Sequence, residues 1–160
     1  MGYDFNADEI FEMAEQIERN GASFYRKSAE AIADSGAKKL LLDLAAMEDE
    51  HEKTFADLRA GLSEKEKVAT VFDPEDEAAL YLRALADIRV FFEKKIDTTS
   101  MEEILKEAIL AEKDSIVFYL GMKEIVSENL GKTKIDQIIK EEMTHIKLLS
   151  KELVASQPVL

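Results

Sequence analysis

The 160-residue sequence contains no cysteine and no tryptophan, and it has only two prolines and six glycines. The absence of cysteine excludes disulfide bonds, iron–sulfur clusters, thiolate zinc sites and cysteine nucleophiles within this chain. The scarcity of proline and glycine argues against an all-β or turn-rich fold. Glutamate, alanine, leucine and lysine are abundant instead, a composition that favours helices. The length suits one domain over residues 1–160, since a domain takes roughly 150 residues.

Basic residues are also scarce relative to acidic ones, with 21 Lys and Arg against 34 Asp and Glu and a net charge of −13. Such a chain is repelled by phosphate backbones and anionic lipid, so we expect neither nucleic acid nor membrane partners. Apolar stretches such as residues 40–42 are far shorter than the ~20 residues of a membrane-spanning helix. Residues 1–6 lack the basic region and apolar core of a signal peptide, which favours a cytoplasmic location.

Helical periodicity is the strongest pattern in the sequence. Apolar residues recur at spacings of three and four, as on one face of a helix. The pattern predicts four long helices, over about residues 7–33, 37–61, 101–129 and 134–154.

The segment between the second and third helices is long. Residues 62–100 form a connector in which residues 78–95 are predicted to be a shorter helix. Ser100 and Glu103 form a capping box that opens the third helix, and Gly131 is expected to end it. A connector of this length lets the second pair of helices enter from the opposite end of a bundle. We therefore predict an all-α four-helix bundle with a long crossover connection that contains an extra helix.

The sequence repeats several residues at an offset of 94. The repeated pairs are Glu18 and Glu112, Phe24 and Phe118, Tyr25 and Tyr119, Glu48 and Glu142, and His51 and His145. His51 and His145 are the two histidines of the chain, and each follows a glutamate by three positions. A shared offset at this many positions indicates a duplicated helical hairpin, over about residues 7–61 and 101–154.

The repeated glutamates interrupt apolar helix faces instead of extending charged ones. They are Glu18, Glu48, Glu112 and Glu142. Four carboxylates that converge in one core would repel each other, and each unpaired one costs several kcal/mol. They must take up protons or bind cations, and two divalent ions would balance four negative charges. Ordinary core polar residues are the alternative, although no inward Lys or Arg is predicted to pair with them.

The Glu-x-x-His spacing suits metal binding. Residues three apart on a helix lie about 5–6 Å from each other at Cβ, so one turn can present a carboxylate oxygen and an imidazole nitrogen together. Two such pairs and two single glutamates give six ligands for two metal ions about 3.5–4 Å apart, a pattern known from di-iron and di-manganese carboxylate bundles. Carboxylate-rich ligation suits two iron ions, with manganese or mixed occupancy left open.

These motifs resemble those of the ferritin-like superfamily, and specifically of rubrerythrin-type di-iron proteins reduced to their four-helix domain. The resemblance covers essentially the whole chain and implies a ferritin-like bundle that forms a homodimer. It implies that Glu18 and His51 are terminal ligands of one iron, that Glu112 and His145 are those of the other, and that Glu48 and Glu142 bridge.

The resemblance also implies a function, a di-iron oxidoreductase that reduces hydrogen peroxide or dioxygen. Rubrerythrins usually carry a rubredoxin-like domain with a four-cysteine iron site. Because this chain has no cysteine, its electrons would come from a separate donor protein such as rubredoxin. Ser115 stands where the family typically has a further glutamate, so the six-residue set is closer to the bacterioferritin pattern.

Other interpretations remain open from the sequence. The chain could be a ferroxidase or iron-handling protein, an oxygenase with an organic substrate, or a metal-free helical interaction module. Tyr25 and Tyr119 could pack in the core or donate hydrogen bonds to ligand carboxylates, which would fix their orientation. Met47 and Met143, which lie beside the glutamates in sequence, are expected to fill the core.

Overall fold

The computed structural model describes residues 7–64, 100–126 and 128–157. These ranges contain four long helices: α1 (Ala7–Ala31), α2 (Ser35–Ala60), α3 (Met101–Ile125) and α4 (Lys132–Ser156). They contain no strand, which confirms the predicted all-α class. The predicted connector helix at residues 78–95 lies outside the described residues.

The helix ends follow from local capping. Asp34 begins α2, because its side chain accepts a hydrogen bond of 2.8 Å from the backbone N–H of Ala37. This cap starts α2 two residues before the predicted position. Ser100 caps α3 as predicted and accepts from the backbone N–H of Glu103 at 3.3 Å.

Gly131 does not end α3, contrary to the prediction. That helix ends at Ile125, a short 3-10 turn follows at Glu128–Leu130, and Gly131 precedes the first residue of α4. Its φ of 98° is left-handed, and a Cβ at this position would lie 2.6 Å from Leu58 Cδ2. The left-handed φ is the feature that favours glycine, which therefore marks the start of a helix here.

The helices pack as two antiparallel pairs, α1 with α2 and α3 with α4. Across the pairs, Glu18 in the first half of α1 contacts Tyr119 near the end of α3, and Tyr25 contacts Glu112 in the opposite sense. Since α1 and α3 are thus antiparallel, α2 and α3 run in the same direction. The end of α2 and the start of α3 therefore lie at opposite ends of the bundle, as the crossover prediction requires.

Within the described ranges the bundle interior is mostly apolar, and its buried charged or ionisable residues other than tyrosine are the six repeated glutamates and histidines. The largest fully buried side chains include Phe11, Tyr25, Phe55, Phe118 and Tyr119. Burying each such side chain contributes roughly 1.5–3 kcal/mol, so these layers hold the helices in register. No helix in the described ranges combines the length and the apolar character needed to cross a bilayer.

Candidate metal centre

All six predicted ligand residues meet at one level inside the bundle. Each of the two hairpins contributes one helix with a single glutamate and one helix with a Glu-x-x-His pair. The residues are Glu18 on α1, Glu48 and His51 on α2, Glu112 on α3, and Glu142 and His145 on α4. None of them is more than 3% exposed. The apolar helix faces therefore carry these polar groups into the core.

The six residues form two overlapping groups of four. Within each group, one donor atom per residue lies within 4.8 Å of all the others. The groups are Glu18, Glu48, His51 and Glu142, and Glu48, Glu112, Glu142 and His145. Glu48 and Glu142 belong to both, which is the position that the resemblance gives to bridging residues. That the six residues bind metal stays a prediction.

The two imidazole rings present their Nδ1 atoms to this centre. His51 Nδ1 lies 3.0 Å from Glu142 Oε1 and 3.4 Å from Glu18 Oε2. His145 Nδ1 lies 2.8 Å from Glu142 Oε2 and 3.1 Å from Glu48 Oε1. The rings stack with centroids 5.6 Å apart and an angle of 19°. Each Nδ1 can therefore act as a ligand beside the carboxylates of its group.

The two tyrosines donate hydrogen bonds to carboxylates of the opposite hairpin. Tyr25 Oη donates to Glu112 Oε1, and Tyr119 Oη donates to Glu18 Oε1. Burial, followed by the nearby carboxylates, raises the pKa of both phenols well above the usual value, so they stay protonated donors. This confirms the hydrogen-bonding interpretation. Each phenol fixes one oxygen of its glutamate and leaves the other free to face the centre.

Tyr119→Phe should weaken divalent metal binding by about 10-fold or more, because Glu18 loses the donor that orients it. Titration of the metal-free protein with Co(II), followed by visible absorption, measures this. Phe118→Leu is the control, since Phe118 packs edge-on against Tyr119 and has no described contact with a site carboxylate. Unchanged affinity in Tyr119→Phe would contradict an orienting role for the phenol.

Several buried atoms of the centre lie close to one another without a well-formed hydrogen bond. They are Glu18 Oε2, Glu48 Oε1, Glu112 Oε2, Glu142 Oε2 and His145 Nδ1. No Lys or Arg is buried in the part of the chain that the structure describes. Buried polar atoms normally find partners, and carboxylate oxygens with imidazole nitrogens are the donors that iron and manganese accept. The residues present therefore fit a pair of divalent cations.

Burial and mutual repulsion perturb the four carboxylates. Burial, followed by repulsion from Glu142, raises the pKa of Glu112 to about 8 and also raises the pKa of Glu18. Burial and its glutamate neighbours raise the pKa of Glu48 well above the usual value. Glu142 differs, because its interactions with both histidines outweigh the effect of burial and lower its pKa. The carboxylates cannot all be ionised without a cation.

The histidines are held in the charged form. Burial alone would lower their pKa values, but hydrogen bonding to Glu142 and Glu18 raises the pKa of His51 to about 11. Contacts with Glu112 and Glu142 likewise raise the pKa of His145 to about 9. Metal ions bind the deprotonated forms of these groups. Protons and metal ions therefore compete for the same centre.

The outer nitrogens of the two rings have partners that the sequence analysis missed. His51 Nε2 lies 2.6 Å from Glu141 Oε2, and His145 Nε2 lies 3.2 Å from Met47 Sδ. Met47 is 43% exposed and Met143 is 50% exposed, so the expectation that they fill the core is wrong. The repeat could have pointed to Met47 and Glu141 as equivalent positions, because they too are 94 positions apart.

Ser115 is buried beside the centre but is satisfied within its own helix. Its hydroxyl donates to the carbonyl of Ala111 at 3.0 Å, and the residue is 1% exposed. Its hydroxyl is therefore already paired, and within the described ranges the carboxylates and imidazoles of the centre come from the six predicted residues.

No protein-family model and no curated protein matches the chain. Among solved structures, the chain is similar to a Thermotoga maritima protein described as a ferritin-like diiron-carboxylate protein. The two share 23% sequence identity with a TM-score of 0.73, over 98% of this chain and 100% of the other. At this identity the likeness shows the fold, and the chain has the architecture of a ferritin-like all-α bundle.

Proposed function

We propose that the chain is a di-iron oxidoreductase of the rubrerythrin type, which reduces hydrogen peroxide or dioxygen with electrons from an external donor. The observation that carries this proposal is the buried set of four carboxylates and two histidines, arranged as two groups that share Glu48 and Glu142. The unpartnered oxygens of that set call for cations. The description of the Thermotoga maritima protein as diiron-carboxylate supports iron as the metal.

The chain's own residues have distinct tasks in this proposal. The centre would hold a pair of ferrous ions, which when bound would supply two electrons to an oxygen–oxygen bond. Glu48 and Glu142 would hold both ions, and the histidines would attach each ion to α2 or α4 through Nδ1. Glu18 and Glu112 would each offer the oxygen that its tyrosine does not occupy. The apolar layers above and below keep bulk water from the centre.

The proposal includes an electron donor outside this chain. A thiolate iron site of the rubredoxin type needs cysteine, and the sequence has none. A separate protein such as rubredoxin would therefore deliver electrons. A homodimer in the cytoplasm completes the proposal, on the basis of the rubrerythrin resemblance.

Anaerobic titration with Fe(II) should load two ions per chain, and peroxide should then oxidise them faster than dioxygen does. Stopped-flow absorbance measures both rates on the same loaded sample. Glu50→Gln is the matched control, because Glu50 lies on α2 but is exposed. Binding of clearly fewer than two ions would favour a metal-free interaction module instead.

A ferroxidase is the second candidate, and Ser115 favours it. The rubrerythrin pattern has a further glutamate at this position, whereas here a serine hydroxyl is bonded to its own helix. The remaining six residues resemble the bacterioferritin set. Faster oxidation by dioxygen than by peroxide, together with a native mass far above that of a dimer, would select this candidate. A dimer-sized particle would remove iron storage.

A further inference from the structure

The two hairpins differ at one pair of equivalent positions beside the centre. Met47 and Glu141 are 94 residues apart, and each directly precedes one of the two shared glutamates. Because α2 and α4 are antiparallel, each side chain reaches the histidine of the other hairpin. Glu141 contacts His51 Nε2 at 2.6 Å, and Met47 contacts His145 Nε2 at 3.2 Å. The two hairpins therefore differ in the residue that contacts the Nε2 atom of the histidine.

The two partners differ strongly as hydrogen-bond acceptors. An ionised carboxylate accepts a strong, charge-assisted bond from an imidazole N–H, whereas a thioether sulfur is a weak acceptor. The other oxygen of Glu141 accepts from Gln137 Nε2 at 3.2 Å, which holds the carboxylate in place. Glu141 is 46% exposed, so solvent screens part of its charge. His51, however, is only 3% exposed and donates this bond from inside the bundle.

A carboxylate on the outer nitrogen changes what the inner nitrogen can do. It fixes the tautomer with the proton on Nε2, orients the ring and makes Nδ1 a more basic ligand. His51 has this support, and His145 does not. We propose that the two metal positions are inequivalent and fill in order, the position of Glu18 and His51 first, with Glu141 as the positioning residue. This inference rests on the proposed di-metal function.

Titration of the metal-free protein with Co(II), followed by calorimetry and visible absorption, tests the order of filling. We expect two steps whose dissociation constants differ by about 10-fold or more, the range that outer partners of a ligand histidine confer. Proton NMR should show the shifted Nε2–H signal of His51 at the first equivalent and that of His145 only at the second.

Exchange of the two partners gives the sharper test. Glu141→Met should bring the two steps together by weakening the first about 10-fold. Met47→Glu should bring the two steps together by strengthening the second. Glu141→Gln keeps an acceptor without the charge, so its first step should be tighter than that of Glu141→Met and weaker than that of the wild type. Met143→Glu is the matched control: it adds a carboxylate to an exposed position next to Glu142, with no described contact to either histidine.

The outcomes separate this inference from the function on which it rests. Two equal steps in the wild type, or an unchanged first step in Glu141→Met, would overturn the inference and leave a di-metal centre intact. Failure to bind Co(II) at all would overturn both. Met47→Glu changes an exposed residue, so its result stands even where Glu141→Met does not fold.

Discussion

Glu48→Gln is expected to stabilise the metal-free protein and to abolish tight binding of a metal pair. Burial and repulsion from Glu18 and Glu142 raise the pKa of Glu48 well above its usual value, which disfavours its ionised form in the metal-free protein. Glutamine has the same shape and carries no charge at any pH. We expect the free energy of unfolding to rise by about 1–3 kcal/mol at pH 8, because glutamine avoids the cost of proton uptake that the raised pKa of Glu48 imposes on folding at that pH.

The same substitution removes an oxygen that both metal groups share. Loss of an outer partner of a ligand already costs 10–100-fold in affinity, so loss of a bridging carboxylate should cost more than about 100-fold. Chemical denaturation in a chelator measures the stability, and Co(II) titration measures the affinity.

Glu142→Gln is the control, because the repeat makes it the counterpart of Glu48. Its pKa is lowered, since it carries the negative charge that faces both histidines. Removal of that charge should destabilise the metal-free protein, although it also abolishes binding of the metal pair. Equal effects of the two substitutions on stability would contradict the distribution of protons described above.

The sequence was sufficient for the composition of the polar centre. Glutamate is costly to bury, and here it recurs at one offset on apolar helix faces. This restricts how the helices can pack against each other. The family resemblance then matched Glu18 and Glu112 to their Glu-x-x-His pairs. Tyr25 and Tyr119 lie two turns beyond those glutamates on the same face, but the sequence left open whether they pack in the core or donate hydrogen bonds to the carboxylates.

The features that sequence could not predict depend on the geometry between helices. The sequence analysis assigned Gly131 to the end of a helix, because neither its left-handed φ nor its approach to Leu58 can be read from the sequence. Met47 and Glu141 lie at the edge of an apolar face, where periodicity does not decide between core and surface. Only the antiparallel crossing of α2 and α4 brings them to the histidines.

The metal-free protein is expected to lose stability as the pH rises from about 6.5 to 9. Glu112 has a folded pKa of about 8 against 4.5 unfolded, and His51 and His145 have folded values of about 11 and 9 against 6.5. A raised folded pKa gives stability that is complete below the unfolded pKa and is lost toward the folded one. Over this window the folded state holds more protons at all three groups than the unfolded state does, so we expect the Tm to fall by on the order of 10 °C.

Divalent metal should reverse this dependence, because the ions bind the deprotonated groups and their affinity grows as protons leave. At 100 times the dissociation constant each ion contributes about 2.7 kcal/mol, which for a chain of this size raises the Tm by roughly 5–10 °C per ion. Calorimetry at pH 6.5, 7.5 and 8.5, with a chelator or with excess Mn(II), gives both curves. The slope in the chelator should be smaller for Glu112→Gln, which removes one of the titrating groups. A Tm that rises with pH in the chelator would show that these side chains do not hold protons in the folded protein, and the competition between protons and metal would then fail as an account of this centre.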